Sequence, residues 1–103
     1  MQSSTAVTML AALAQPSRLA VFRLLVETGP AGLTAGQIGE ALSLAPATLS
    51  FHLKSLCGAG LAEGVSEGRF IRYCARFEAM NALVGYLTEN CCRASPEAGC
   101  GRC

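Results

Sequence analysis

Between Thr34 and Gly60 the chain carries two sets of helix-start and helix-stop signals, with room for only about four residues between them. Thr34, followed three residues on by Gln37, forms a capping box. In it the threonine oxygen and the glutamine side chain each satisfy an amide that a helix start leaves unpaired. A helix from there is expected to run to about Leu42. After Ser43-Leu44-Ala45, Pro46 opens another, because a missing N–H costs nothing in a first turn. That second helix should end at Gly58-Ala59-Gly60. Two short helices so closely joined, the second headed by small polar residues, read as a helix-turn-helix.

The flanking segments extend this unit in a consistent direction. Ala6, Met9, Leu10 and Leu13 recur at helical spacing and mark an amphipathic first helix. Pro16–Glu27 follows, apolar nearly all round, and is expected to be a buried central helix stopped by Gly29, Pro30 and Gly32. From Leu61 to Cys74 the pattern becomes strand-like, with Glu67-Gly68 as a hairpin tip. Met80, Leu83, Val84 and Leu87 form a last helical stripe, which ends at Asn90. The order helix, helix, helix-turn-helix, hairpin, helix predicts a mainly α fold with a β-hairpin wing. It divides the chain into a winged helix over 1–90 and a Cys-rich, flexible tail over 91–103.

Composition narrows the function. Half of the 103 residues are hydrophobic (51%) and 15% are charged, which excludes intrinsic disorder. A core this small is thin, so some apolar surface is expected to be buried between subunits. No apolar run approaches the ~20 residues of a membrane helix. The first basic residue is Arg18, so no charged leader is visible and a cytoplasmic address is expected. All seven acids are Glu, and His52 is the only histidine. No nucleophile elbow, phosphate-binding loop or H-E-x-x-H metal motif occurs. A Cys-x5-Arg cradle fails as well, since Glu63, Met80 and Ala98 stand six positions after Cys57, Cys74 and Cys92. The chain is not expected to be an enzyme.

The formal charge is only +1, yet it is unevenly spread. Residues 45–76 carry Lys54, Arg69, Arg72 and Arg76 against Glu63 and Glu67, the one basic segment. On the Pro46 helix, Leu49, Leu53 and Leu56 share one face, so Ala47, Phe51 and Lys54 lie opposite, with Thr48, Ser50 and Ser55 alongside. Such a face suits the DNA major groove. Thr48 and Ser50 can hydrogen-bond bases or phosphates, Phe51 can touch a thymine methyl, and Lys54 suits a phosphate. His52 flanks this face and is expected at a phosphate or in an interhelical bond. In the wing, Arg69 and Arg72 are candidates for phosphate or minor-groove contacts.

Several of these stretches resemble the ArsR/SmtB repressors. Leu10-Ala-Ala-Leu-Ala-Gln-Pro-Ser-Arg-Leu19 is similar to their opening, which reads like "LADPTRL". Thr48-Leu-Ser-Phe-His-Leu-Lys-Ser-Leu56 is similar to their recognition helix, and Ala59-Gly-Leu61 and Glu67-Gly-Arg69 to the "AGLV" and "EGR" around their wing. The resemblance covers about residues 6–90. It implies a homodimer joined through its first and last helices, bound to a palindromic operator and released by a metal or metalloid. Two sensing sites of the family are missing. The helix before the recognition helix, Leu33-Thr-Ala-Gly-Gln-Ile38, lacks a C-x-C box, and Phe77–Asn90 lacks the Asp and His of zinc sensors.

Thiols are concentrated instead in the tail, where Cys91, Cys92, Cys100 and Cys103 fall within the last thirteen residues. An all-thiolate set selects soft ions. Trivalent arsenic or antimony takes three thiolates, and Cys91 and Cys92 with Cys100 folded back would supply them, Cys103 being a substitute or a bystander. Arsenic repressors with a vicinal pair just after the last helix look similar. Cys57 and Cys74 are expected to pack as small hydrophobes. Rival readings are a repressor sensing oxidants, persulfides, cadmium, lead or mercury through the same thiols, and a thiolate metal carrier that binds no DNA.

Overall fold

A computed structural model describes residues 1–94, and Cys100 and Cys103 lie outside the described residues. The elements are α1 (Ser3–Leu13), α2 (Pro16–Thr28), β1 (Leu33–Thr34), α3 (Ala35–Leu42), α4 (Pro46–Gly58), β2 (Ala62–Glu67), β3 (Phe70–Ala75) and α5 (Phe77–Thr88). This is a winged helix-turn-helix. The three strands form one antiparallel sheet in the order β1-β3-β2.

The Gln15-Pro16-Ser17-Arg18 stretch makes the elbow between α1 and α2, which are bent by 101°. Gln15 accepts the Arg18 amide at 2.7 Å through its side chain, capping α2. Arg18 then reaches back. Its Nε donates to the Ala12 carbonyl at 2.6 Å and its Nη2 to that of Ala11 at 3.3 Å. A guanidinium at the C-terminal end of α1 satisfies carbonyls the helix cannot, and its charge opposes the negative end of the helix dipole.

The capping box forms as expected. Thr34 accepts the Gln37 amide at 3.3 Å and Gln37 accepts the Thr34 amide at 2.9 Å. Ser43 closes α3 in the left-handed region (φ 55), and the Leu44 amide returns to the Gly39 carbonyl at 3.0 Å. Leu61 joins the wing to α4, donating to the Leu56 carbonyl at 3.0 Å and accepting from the Arg76 amide at 2.8 Å. The core lies between α2, α3, α4 and the base of the wing, around Val21, Leu25, Ile38, Leu49, Leu53, Leu56 and Leu61, all almost fully buried.

The structure corrects one expectation and adds one strand. α2 is not buried all round: Val21, Phe22 and Leu25 face the core, while Leu19 and Ala20 are exposed. Elements of one protomer cover only one side of it. The strand β1 has no period-2 signal to reveal it, being two residues long and paired through Leu33 with Tyr73 and Thr34 with Arg72. Gly32 permits this approach, since it has φ 69 and a Cβ there would sit 2.5 Å from the Tyr73 carbonyl oxygen. Among the described residues no single helix is long and apolar enough to cross a membrane.

Candidate nucleic-acid interface and thiol pair

Packing Leu49, Leu53 and Leu56 inward turns the opposite side of α4 to solvent. Ala47, Thr48, Ser50, Phe51 and Lys54 are all exposed, and Phe51 keeps 65% of its surface accessible. Ser55 is spoken for, its hydroxyl donating to the Phe51 carbonyl at 3.1 Å. Lys54 makes no ion pair among the described residues, so its charge remains open to a phosphate. The exposed side of α4 thus offers two hydroxyls, a phenyl ring and an ammonium.

His52 does not join this set. It is 7% exposed, and its Nδ1 is buried with no hydrogen-bond partner among the described residues. A side chain three residues beyond Leu49 and four before Leu56 points toward the core side of the helix. Of the two placements expected for His52, a phosphate contact does not match this burial, and its Nδ1 makes no interhelical bond among the described residues.

The wing is set by its register. Glu67 pairs with Phe70 and Val65 with Arg72, so these side chains share one face, while Ser66, Ile71, Gly64 and Tyr73 share the other. Gly68, at φ 62, takes the first position of the two-residue loop, as such hairpins require. Arg72 forms an ion pair with Glu67 and is therefore partly committed within the wing. Arg69, at the loop, is exposed and has no ion pair among the described residues. Arg69, Phe70 and Ile71 line a groove of about 310 Å³ together with Thr34, Ala35, Gly36 and Tyr73. The wing tip therefore stands beside the start of the helix-turn-helix. Sequence reasoning passed over Phe70, which is 64% exposed. An aromatic residue directly after a Gly-Arg loop was the available signal.

At the other end of the fold, α5 stops at Thr88 rather than Asn90. Asn90 and Cys92 both take left-handed backbone conformations (φ 60), and the Cys91 amide donates to the Thr88 carbonyl at 3.0 Å. This turn brings the Sγ atoms of Cys91 and Cys92 to 3.5 Å from each other. Two thiolate–metal bonds of roughly 2.3 Å, as in zinc sites, span such a gap with ease. Among the described residues no three His, Cys, Asp or Glu side chains gather to hold a metal ion. The remaining sequence-identified ligands, Cys100 and Cys103, fall outside them.

Cys57 and Cys74 have a different character. Both are half-buried. Burial is the main cause that pushes the Cys57 thiol up, followed by the negative charge of Glu63 and the neighbouring Cys74. Cys74 is raised by burial and then by Glu63, with Arg72 opposing, and its Sγ lies 3.9 Å from Glu63 Oε1. These groups are held as neutral thiols against the wing base, poorly suited to nucleophilic or metal chemistry.

Beside Leu19 on α2 and Phe51 on α4, outward-facing apolar residues include Val7 and Leu10 on α1 and Val84 and Leu87 on α5. Helices α1 and α5 pack against each other within the protomer, so their apolar surfaces belong to one end of the molecule.

Residues 13–65 match the helix-turn-helix domain family. An ArsR-like transcriptional regulator from Rhodococcus sp. RHA1 superposes with a TM-score of 0.78 at 26% identity, over 90% of this chain and 85% of that one. HlyU from Vibrio cholerae N16961 is 30% identical, with a TM-score of 0.67 and coverage of 82% and 92%. A homodimeric winged helix-turn-helix DNA-binding domain from Mycobacterium bovis, Mb0332, is described as a possible ArsR-family transcriptional regulator. It gives a TM-score of 0.68 at 27% identity over 84% of this chain and 81% of that one. No curated protein matches the sequence.

Proposed function

Because this chain belongs to the ArsR family of winged-helix transcriptional regulators, we propose that it is a cytoplasmic repressor that releases its operator when trivalent arsenic or antimony binds its C-terminal thiolates. A member of this family is a DNA-binding regulator and not an enzyme. The observation that carries the inducer is the 3.5 Å separation of the Cys91 and Cys92 sulfurs at the turn that ends α5.

The repressor works as a homodimer. Val7, Leu10, Val84 and Leu87 give α1 and α5 an apolar surface for a second copy, and a solved relative is homodimeric. Two-fold symmetry then sets two α4 helices in successive major grooves about 34 Å apart, on a palindromic operator. Thr48, Ser50 and Phe51 meet base edges or phosphates, while Lys54 and Arg69 neutralise phosphates.

Cys91 and Cys92 supply two thiolates, and Cys100 or Cys103 the third. A bound metalloid adds a covalent tie between the tail and the end of a dimer helix. Since α5 is both the anchor of that tie and part of the subunit contact, binding biases how the two reading heads are held. A coupling of about 1–3 kcal/mol between inducer and DNA is the ordinary scale for such linkage.

Arsenite titrated into the reduced dimer, with free thiols counted by a chromogenic disulfide, tests the ligand set. Three thiols per protomer should be protected in the wild type, and Cys91→Ser should abolish tight protection. Protection by cadmium or lead but not by arsenite would move the inducer to a soft divalent metal. Loss of thiols to peroxide or polysulfide, reversed by a dithiol, would move it to redox sensing.

A further inference from the structure

The chain has four phenylalanines and two tyrosines. Phe22 is buried, and Tyr73, Phe77 and Tyr86 are partly buried against the core. The two that remain exposed, Phe51 at 65% and Phe70 at 64%, stand on the two elements that a winged helix presents to DNA. Each has a cation close by in sequence that makes no ion pair among the described residues, Lys54 for one and Arg69 for the other. A ring left in water at a hairpin tip contributes nothing to this protomer's core.

Phe70 is the closing residue of the two-residue loop, paired with Glu67 and directly after Arg69. The acid beside it would repel a phosphate backbone, and Arg72 cancels that charge through its ion pair with Glu67. The net charge at the tip is then that of Arg69. Gly68 adds no side chain, so the phenyl ring and the guanidinium are the bulk of what the tip presents. An apolar residue flanked by one open cation is the equipment of proteins that enter the minor groove, where the cation follows the negative potential and the apolar group parts a base step.

We propose that Phe70 is a wedge which the wing presses between base steps of the minor groove, so that this regulator kinks its DNA and reads the ease of kinking. The inference rests on the DNA-binding reading above and assigns it a residue and a mode of readout. Specificity then arises at a position where no hydrogen bond is made, because flexible pyrimidine–purine steps open more readily than stiff A-tracts.

The test uses the whole dimer and a duplex cut from its own upstream footprint, with donor and acceptor dyes at the ends. Wild-type protein should raise energy transfer, which reports bending. Phe70→Ala should bind about tenfold more weakly, leave energy transfer at the free-DNA level, and keep the same dependence of affinity on salt. Phe70→Leu should retain part of the bend. Replacing the step under the wing by an A-tract should weaken wild type and leave Phe70→Ala indifferent. Equal bending by Phe70→Ala would overturn the proposal. So would a changed salt slope, or a changed sedimentation coefficient that assigns the ring to contact between copies. Absence of DNA binding by wild type would remove the regulator reading too, whereas salt-dependent binding with a straight duplex removes the wedge alone.

Discussion

Phe51 and His52 are neighbours on α4 and opposites in environment: one ring is 65% exposed, the other 7%, with centroids 6.2 Å apart and planes at 68°. The helix period puts Phe51 on the outward side and His52 beside Leu49, Leu53 and Leu56. The two rings therefore answer to different physics, one to a partner outside the fold and one to the core.

His52 buries an Nδ1 that has no hydrogen-bond partner among the described residues. An unsatisfied polar atom opposes folding, so His52→Leu is expected to hold or raise stability by up to about 1 kcal/mol. His52→Ala leaves a cavity and should cost about 2 kcal/mol. Urea unfolding at fixed protein concentration compares them. A leucine variant less stable by more than about 1 kcal/mol would mean that Nδ1 has a partner in the dimer.

Arg18 holds the α1–α2 elbow through the carbonyls of Ala11 and Ala12. Arg18→Ala should lower stability by about 1–2 kcal/mol, and Arg18→Lys should recover only part, since an ammonium lacks the fork of donors. Because α1 carries Val7 and Leu10, the alanine variant should also dissociate at higher protein concentration. Sedimentation equilibrium measures that shift, and an unchanged dimer constant would separate the elbow from the subunit contact.

Much of this was legible in the sequence. The capping box at Thr34 and Gln37, the proline openings of α2 and α4, and the alternation about Glu67-Gly68 are local signals, and each element formed where its signal lay. Local signals say little about which side of an element ends up covered. For that reason α2 reads as buried all round and His52 as either a phosphate contact or an interhelical bond, although its spacing from Leu49 and Leu53 leans inward. Arg72 failed to announce its partner because Glu67 lies across the hairpin, five residues away, and only the register brings them together. The Cys91–Cys92 pair was evident, but its sulfur separation depends on the left-handed turn after α5.

Raised thiols give stability a pH dependence of definite sign. Cys57 and Cys74 both lie above the ordinary 9.0, chiefly through burial and then through Glu63. The folded protein keeps them protonated where the unfolded chain begins to ionise. Stability is therefore complete below pH 9.0 and falls as pH rises from there toward the folded-state values. Urea midpoints between pH 7.5 and 10.5 in reductant, at about half-unit steps, should show the fall, and Cys57→Ala should flatten it. A midpoint that rises with pH in this range would contradict the assignment.

Lys54 and Ser50 sit on the same exposed side of α4 and should fail differently. Lys54→Ala is expected to reduce the slope of log affinity against log salt by about one per protomer, about two for a dimer, on any DNA. Ser50→Ala should leave the slope intact and weaken the operator relative to random duplex. Fluorescence anisotropy across salt concentrations reads both quantities. An unchanged slope for Lys54→Ala would place that ammonium away from the phosphates.

The most direct test of the central claim is arsenite titrated into the reduced dimer on fluorescent upstream DNA, followed by anisotropy, with Cys91→Ser beside wild type. Release by arsenite in wild type, abolished in Cys91→Ser while its DNA affinity stays intact, is the expected result. Tight, salt-dependent binding that saturating arsenite leaves in place would contradict metalloid sensing by the C-terminal thiols.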